Sequence, residues 1–281
     1  MSVGRKNWKG EKANTMLGAI IGDVVGSRFE WHNLKSKKFV LFTPACKPTD
    51  DSVMTLAVAQ AILQYRAGES SLEDAAVQWM QELGRRYPHS GYGGAFRRWL
   101  QSENPQPYGS YGNGAAMRVS ACGFAARSLE EAIELADTVT AVTHNHPEGF
   151  KGAEATAAAI YLAQNGKSKE EIRTYLQAQY YPLDFTLEEI RETYRFDVSC
   201  QGSVPQALVA FLESENFEDA IRNAISIGGD SDTIAAITGG IAEAYYGVPD
   251  AIKEAALPYL PQDMREILGK FESEYPSRKI R

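Results

Sequence analysis

Two short stretches of the chain concentrate oxygen ligands: Thr49-Asp50-Asp51-Ser52 and Asp230-Ser231-Asp232-Thr233. Each joins carboxylates to hydroxyls, and each stands directly before an apolar helical run. Pro48 turns the chain into the first, and Gly228-Gly229 into the second. Read singly, Asp50 and Asp230 are helix N-caps, a role that Asp fills readily. Read together, the four carboxylates would raise one another's pKa, and a hard divalent cation removes that penalty. Mg²⁺ and Mn²⁺ prefer carboxylate, hydroxyl and carbonyl oxygens, whereas Zn²⁺ favours His and Cys. Neither a His-x-x-x-His nor a Cys-x-x-Cys pattern occurs. Spacing alone leaves the caps and the shared metal site equally open.

Other stretches suit a ligand. Ser110-Tyr111-Gly112-Asn113-Gly114-Ala115-Ala116-Met117-Arg118 puts small residues at a loop-to-helix junction. Backbone N–H groups there approach an anion closely, so the stretch reads as a phosphate site or as a tight turn. It matches neither GxGxxG after a strand nor GxxxxGK[ST]. Thr143-His144-Asn145-His146-Pro147-Glu148-Gly149 places Pro147 in a first helical turn. A histidine at that entrance serves a ligand phosphate or ribose, or bonds nearby backbone. Gly91-Tyr92-Gly93-Gly94 offers Tyr92 for stacking on a base, or simply turns the chain. Glu30 follows the first helical run, where a carboxylate opposes the helix dipole and so suggests a task other than helix stability.

The elements that must position these groups are helices. Met16, Leu17, Ile20, Ile21, Val24 and Val25 recur at three- and four-residue spacing, the stripe of an α-helix. Gly18, Gly22 and Gly26 share one side of it, which predicts close backbone approach to a neighbour or a ligand, with packing the reading for at least the first two, since glycine otherwise weakens a helix. Ser71-x-x-Asp74, Ser128-x-x-Glu131, Ser168-x-x-Glu171, Thr186-x-x-Glu189 and Asn216-x-x-Asp219 read as helix starts. Further helices are expected over 53–63, 148–163, 204–212 and 233–245. Lys38 to Thr43 is the single strand candidate. Asn104 to Asn113 has a linker's composition but runs into the small-residue motif, so it reads as a loop within one domain.

Composition excludes several classes. The 281 residues are 44% hydrophobic and 23% charged, with 24 Gly and 12 Pro, which is globular and neither disordered nor collagen-like. A net charge of −7 argues against nucleic acid as the main partner. Cys46, Cys122 and Cys200 are too few and too widely spaced for a disulfide framework. The polar, basic stretch 1–12 and the short apolar run after it are no signal peptide and no membrane span. A cytoplasmic protein without a membrane partner is expected.

Taken together, the motifs resemble the ADP-ribosylglycohydrolase family, which includes dinitrogenase-reductase-activating glycohydrolase and the ADP-ribosyl-acceptor hydrolases. The matching stretches are GAIIGDVVGSRFEW (18–31), PTDDSVMTLAVA (48–59), SYGNGAAMR (110–118), THNHPEGFKGA (143–153) and GGDSDTIAAITGGIAEAYYG (228–247). They run in family order. The resemblance implies an all-α, compact single-domain helical bundle over residues 1–281, with a central cleft for two Mg²⁺ or Mn²⁺ ions. It places Thr49, Asp50, Asp51, Asp230, Asp232 and Thr233 as metal ligands. Ser110, Tyr111, Gly112, Asn113, Gly114, Met117 and Arg118 would hold the diphosphate and distal ribose, with His144 and Tyr92 near the ligand. Glu30 or Asp51 would be the general acid or base. The implied reaction is hydrolysis of the glycosidic bond between ADP-ribose and an acceptor: an Arg or Ser side chain, an O-acetyl group or a nucleic-acid base. The implied partners are an ADP-ribosylated protein or small molecule, with nucleic acid only as such a substrate, and the implied state is a monomer. Two alternatives are a non-catalytic ADP-ribose-binding or crystallin-like protein, and a dimetal phosphohydrolase.

Overall fold

A computed structural model describes residues 16–276. The basic stretch 1–12 lies outside the described residues. Those described fold into fifteen α-helices and one 3₁₀ turn. Among them no residues form a strand, apart from an isolated bridge between Gly112 and Ser199.

The central element is α1 (Leu17–Gly26), buried along its whole length. It packs on α13 (Ser231–Tyr246), which is equally buried as far as Ala244. The glycine stripe does what the spacing predicts. A Cβ at Gly18 would meet Gly239 O at 2.3 Å, and one at Gly22 would meet Ala235 O at 1.9 Å. At Gly26 it would meet Asp232 Cα at 2.5 Å. The two backbones therefore touch, and the last turn of α1 lies against the first turn of α13. At the far end, Glu243 Oε2 accepts from Gly18 N at 2.7 Å. This satisfies an orphan N–H of α1 and sets a carboxylate at its positive end.

Around this pair lie α2 (Asp50–Arg66), α3 (Leu72–Arg86) and α6 (Ser120–Ala125) on one side. On the other lie α8 (Pro147–Gln164), α11 (Cys200–Leu212) and α12 (Phe217–Ser226). All five sequence-read caps are made: Ser71, Ser128, Ser168, Thr186 and Asn216 each accept a backbone N–H three residues on. Pro147 is the first residue of α8, and His146 is its cap. The expected helix at 204–212 starts earlier, at Cys200 behind the Ser199 cap.

The strand expected over Lys38 to Thr43 does not form. Its carbonyls find side-chain donors instead of a partner strand. Arg222 Nη1 donates to Lys37 O and Phe39 O at 2.9 and 2.8 Å, and Arg28 donates to Val40 O. Phe39 lies edge-on to Phe29 at 5.1 Å. The segment is an irregular strap between α1 and α2, pinned to α12. The three cysteines are buried and unpaired. No helix among the described residues is long and apolar enough to cross a membrane.

Candidate active site

The two carboxylate–hydroxyl stretches, far apart in the chain, meet where α2 and α13 begin. Thr49 is the N-cap of α2, its hydroxyl accepting from Asp51 N. Asp50 is therefore not the cap. Asp230 holds the cap position of α13 but makes no side-chain cap bond. Its Oδ2 instead accepts from Asn113 Nδ2 at 2.7 Å. The positive ends of both helices face the same group of acids, which favours their charge.

Carboxylate oxygens gather in two groups, each within 4.8 Å: Asp23 with Asp51 and Asp232, and Glu30 with Asp230 and Asp232. Asp232 belongs to both. Thr233 Oγ1 lies 3.3 Å from Asp51 Oδ2, as does Thr49 Oγ1. Asp50 borders the same cleft but stands outside both groups, with Gly91 packed against its Oδ1. All six expected ligands thus converge, in a grouping that spacing did not show.

Asp23, which interrupts the apolar run 16–25, is the residue that sequence reasoning missed. It is fully buried and accepts from Thr49 N at 2.8 Å, Thr49 Oγ1 at 2.6 Å, Ser52 N at 3.0 Å and Ser52 Oγ. Three of those bonds end on Oδ2 and one on Oδ1, and together they hold the start of α2 against α1. Thr49 Oγ1 also accepts from Asp51 N at 3.4 Å and lies 3.3 Å from Asp51 Oδ2. A lone acid in a buried helix stripe was the available signal.

Electrostatics agree with a cation site. Burial, then Asp23, then Asp50 push Asp51 well above the usual carboxylate range. Burial followed by Asp51 does the same to Asp232. Asp50 is pushed up to about 8, first by burial and then by Asp23. Glu30 is raised by burial and by Asp230. Asp51 Oδ1 is buried and has no hydrogen-bond partner, an arrangement that costs free energy unless a cation meets it. Every candidate ligand is a hard oxygen, which fits Mg²⁺ or Mn²⁺.

Glu30, Asp50, Asp51, Asp230 and Asp232 line a cleft of about 410 Å³, a volume in the range of small-molecule sites. Ser110, Gly112, Asn113, Gly114, Met117, Arg118 and His144 line the same cleft. The loop is fastened by Asn113 N to Val198 O at 2.7 Å and by Cys200 N to Tyr111 O at 2.9 Å. A Cβ at Gly114 would lie 3.2 Å from His144 Nε2, and one at Gly112 3.6 Å. His144 thus lies directly against the two glycines of the loop. Its Nδ1 shares a 2.7 Å hydrogen bond with Thr143 Oγ1, which also accepts from Arg118 Nη2 at 2.7 Å. Burial, then the Arg118 charge, hold His144 well below its usual pKa, so it is neutral. Arg118 is itself fully buried and lowered to about 10 by that burial. The helix after the loop, α5 (Gly114–Met117), is a single turn.

Two expected ligand contacts are placed differently. Tyr92 is buried against Phe96, ring centroids 5.7 Å apart, while Gly91, Gly93 and Gly94 line the cleft in its stead. Tyr111 is exposed outside the lining and leans on His146 at 5.2 Å. His146 Nδ1 accepts from Glu148 N, a capping role. At the mouth, Trp31 stacks on Phe196 at 5.2 Å and is 73% exposed.

Comparison with known proteins follows the same lines. A sequence profile described as ADP-ribosylglycohydrolase matches residues 9–278. The human ADP-ribosylhydrolase ARH3 is 27% identical, in an alignment covering 89% of this chain and 90% of that protein. The ADP-ribosylarginine hydrolase Tri1 of Pseudomonas putida is 29% identical over 83% of this chain and 70% of its own length. A solved structure titled ADP-ribosylglycohydrolase-related protein complex superposes with a TM-score of 0.67 at 25% identity, covering 93% of this chain and 95% of that one. A match along nearly the whole sequence, on a helical fold of the same shape, settles the family: the chain belongs to the ADP-ribosylglycohydrolases.

Proposed function

We propose that this chain is a hydrolase that releases ADP-ribose from an acceptor by breaking the glycosidic bond at the anomeric carbon, with two Mg²⁺ or Mn²⁺ ions. The observation that carries this reading is the pair of oxygen groups sharing Asp232, beside a loop whose Gly112 and Gly114 line the same cleft. Relatives that carry the names ADP-ribosylhydrolase and ADP-ribosylarginine hydrolase support it.

Asp51, Asp232, Thr49 and Thr233 would hold one ion, and Glu30, Asp230 and Asp232 the other. When bound, the ions orient and polarise the ribose hydroxyls and a water. The chain supplies the rest. Gly112 and Gly114 let the diphosphate lie close over His144, whose neutral ring offers one donor or acceptor. Asn113 fixes Asp230 and ties the loop to the acids. The bond breaks with oxocarbenium character, as in other glycoside hydrolysis, and a positioned carboxyl group must move a proton. Glu30 suits that task better than Asp51. It is half-buried on a loop that lines the cleft, whereas Asp51 is buried in the first turn of α2 and accepts from Thr233 Oγ1. We place the protein in the cytoplasm, in keeping with its unpaired buried cysteines, and expect a monomer.

The test is product analysis by mass spectrometry. Arginine-, serine- and nucleic-acid-linked ADP-ribose and O-acetyl-ADP-ribose are each supplied with Mg²⁺, Mn²⁺ or chelator, and with an Asp50→Asn/Asp232→Asn variant. The expected result is ion-dependent release of intact ADP-ribose, lost in the variant. AMP or phosphate in its place identifies a phosphohydrolase. Saturable ADP-ribose binding without any product identifies a non-catalytic binder.

A further inference from the structure

Beside the second oxygen group stands a side chain with no obvious chemistry of its own. Asn33 lies in the strap after α1. Its Nδ2 donates to Phe29 O at 2.8 Å and Glu30 O at 3.0 Å, and across the fold to Gly229 O at 2.9 Å. Its Oδ1 accepts from Gly229 N at 2.8 Å. One amide therefore bonds both backbone groups of the residue before Asp230 and also the carbonyl of Glu30. The corner it grips is unusual. Gly228 and Gly229 both have positive φ, 67° and 77°, and a Cβ on Gly228 would meet Asn33 Oδ1 at 3.0 Å. On the other side, the ring of Tyr194 closes on Gly229, leaving 2.3 Å for a Cβ. Tyr194 is fixed by its hydroxyl to Gly202 O at 2.6 Å and by Lys35 Nζ on its carbonyl at 2.9 Å.

We infer that Asn33 is a positioning residue. It sets the distance between the Glu30 turn and the Asp230–Asp232 corner, and so creates the second cation site without touching the first. The inference rests on the dimetal reading above. Its physical basis is the small tolerance of the site. Oxygens on opposite sides of a Mg²⁺ ion stand about 4.2 Å apart, twice a bond of about 2.1 Å. Glu30, Asp230 and Asp232 already lie at that scale. A drift of about 1 Å in the Glu30 turn takes its carboxylate out of the shell. Asp51 and Asp232, in contrast, sit on α2 and α13, and Asp23 on α1 braces α2; none of the three needs the strap.

The experiment counts ions by calorimetry, and follows the coupling of bound Mn²⁺ by electron paramagnetic resonance, in the full chain. Asn33→Asp keeps the size and the bond from Gly229 N but replaces the donating amide with an oxygen facing three carbonyls. It also adds a negative charge near the site. If charge alone mattered, Asn33→Asp would bind the second ion more tightly. The tether requires the opposite: the second ion weakened about 10–100-fold, as for other residues that orient metal ligands, with the first ion retained and the Mn²⁺–Mn²⁺ coupling lost. Asn33→Ala should behave likewise. Lys37→Ala, which cuts the strap's ion pair with Asp219 but leaves Asn33 in place, should keep both ions. Two ions bound equally well by Asn33→Asp, or a second ion lost in Lys37→Ala too, would overturn the assignment while leaving the dimetal reading intact. Fewer than two ions in the unaltered chain would remove the dimetal reading and the tether together.

Discussion

The two oxygen groups share an aspartate but are built from different material. Asp23, Asp51 and Asp232 come from three helices that touch one another. They are almost completely buried, and backbone contact between α1 and α13 leaves them nowhere to go. Glu30 stands on an irregular strap, is half-buried, and owes its place to hydrogen bonds from Asn33 and to arginines that grip the strap beyond it. A group fixed by helix packing is suited to holding charge. One fixed by a few polar contacts is suited to moving a proton, or to opening so that product leaves. The difference supports the separate roles proposed for them, which carboxylate chemistry alone does not distinguish.

The strongest way to break this comparison is to remove the acid common to both groups. Asp232→Asn should weaken both ions and lower kcat/KM by about 10²–10⁴-fold, the product of a 10–100-fold loss at each site; steady-state kinetics with circular dichroism checks it. Next, Gly22→Ala attacks the helix frame itself. Its Cβ would lie 1.9 Å from Ala235 O, so α1 and α13 must separate, at a cost of about 3 kcal/mol or more. Thermal melting should fall, and ion binding at the helix-borne group should fall with it. If that group binds as before, helix contact is not what fixes it.

Glu30→Gln attacks the other group. It should lower kcat about 10²-fold, in the range of a lost acid–base residue, while the melting temperature hardly changes because the strap keeps its anchors. A large drop in stability would show that Glu30 is structural. The smallest effect is a dependence on pH. Without ions, burial and neighbouring acids raise the folded-state pKa of these carboxyls, Asp50 to about 8. The folded chain then holds more protons than the unfolded one between about pH 4 and pH 8. That contribution to stability is complete below pH 4 and is lost as the pH climbs to about 8. Cations compete with the same protons, so the stabilisation by Mg²⁺ should be small at pH 5 and largest at pH 8. A shift independent of pH would mean that the ions bind elsewhere.

Helical content, the five side-chain caps and the contact made by Gly18 and Gly22 followed from the sequence because each depends on residues within a turn or two. The paired carboxylate–hydroxyl stretches were also legible, since two rare local patterns point to one chemistry. Lys38 to Thr43 misled because apolar residues in a short run look alike in a strand and in a strap held by arginines. Tyr92 misled because a tyrosine between glycines has the same sequence in a cleft and in the core.

What only the tertiary structure decided is which oxygens lie close enough to share an ion. Asp50 had every sequence credential and stands beside the groups, whereas Asp23 seemed an interruption and braces one of them. Asn33 has no local signature at all, because its decisive bonds reach Gly229, 196 residues away. Caps and helical periods are properties of neighbours along the chain. A cation site is a property of neighbours in space, set here by glycines that bring two helices into contact and by one amide that spans the gap beside them.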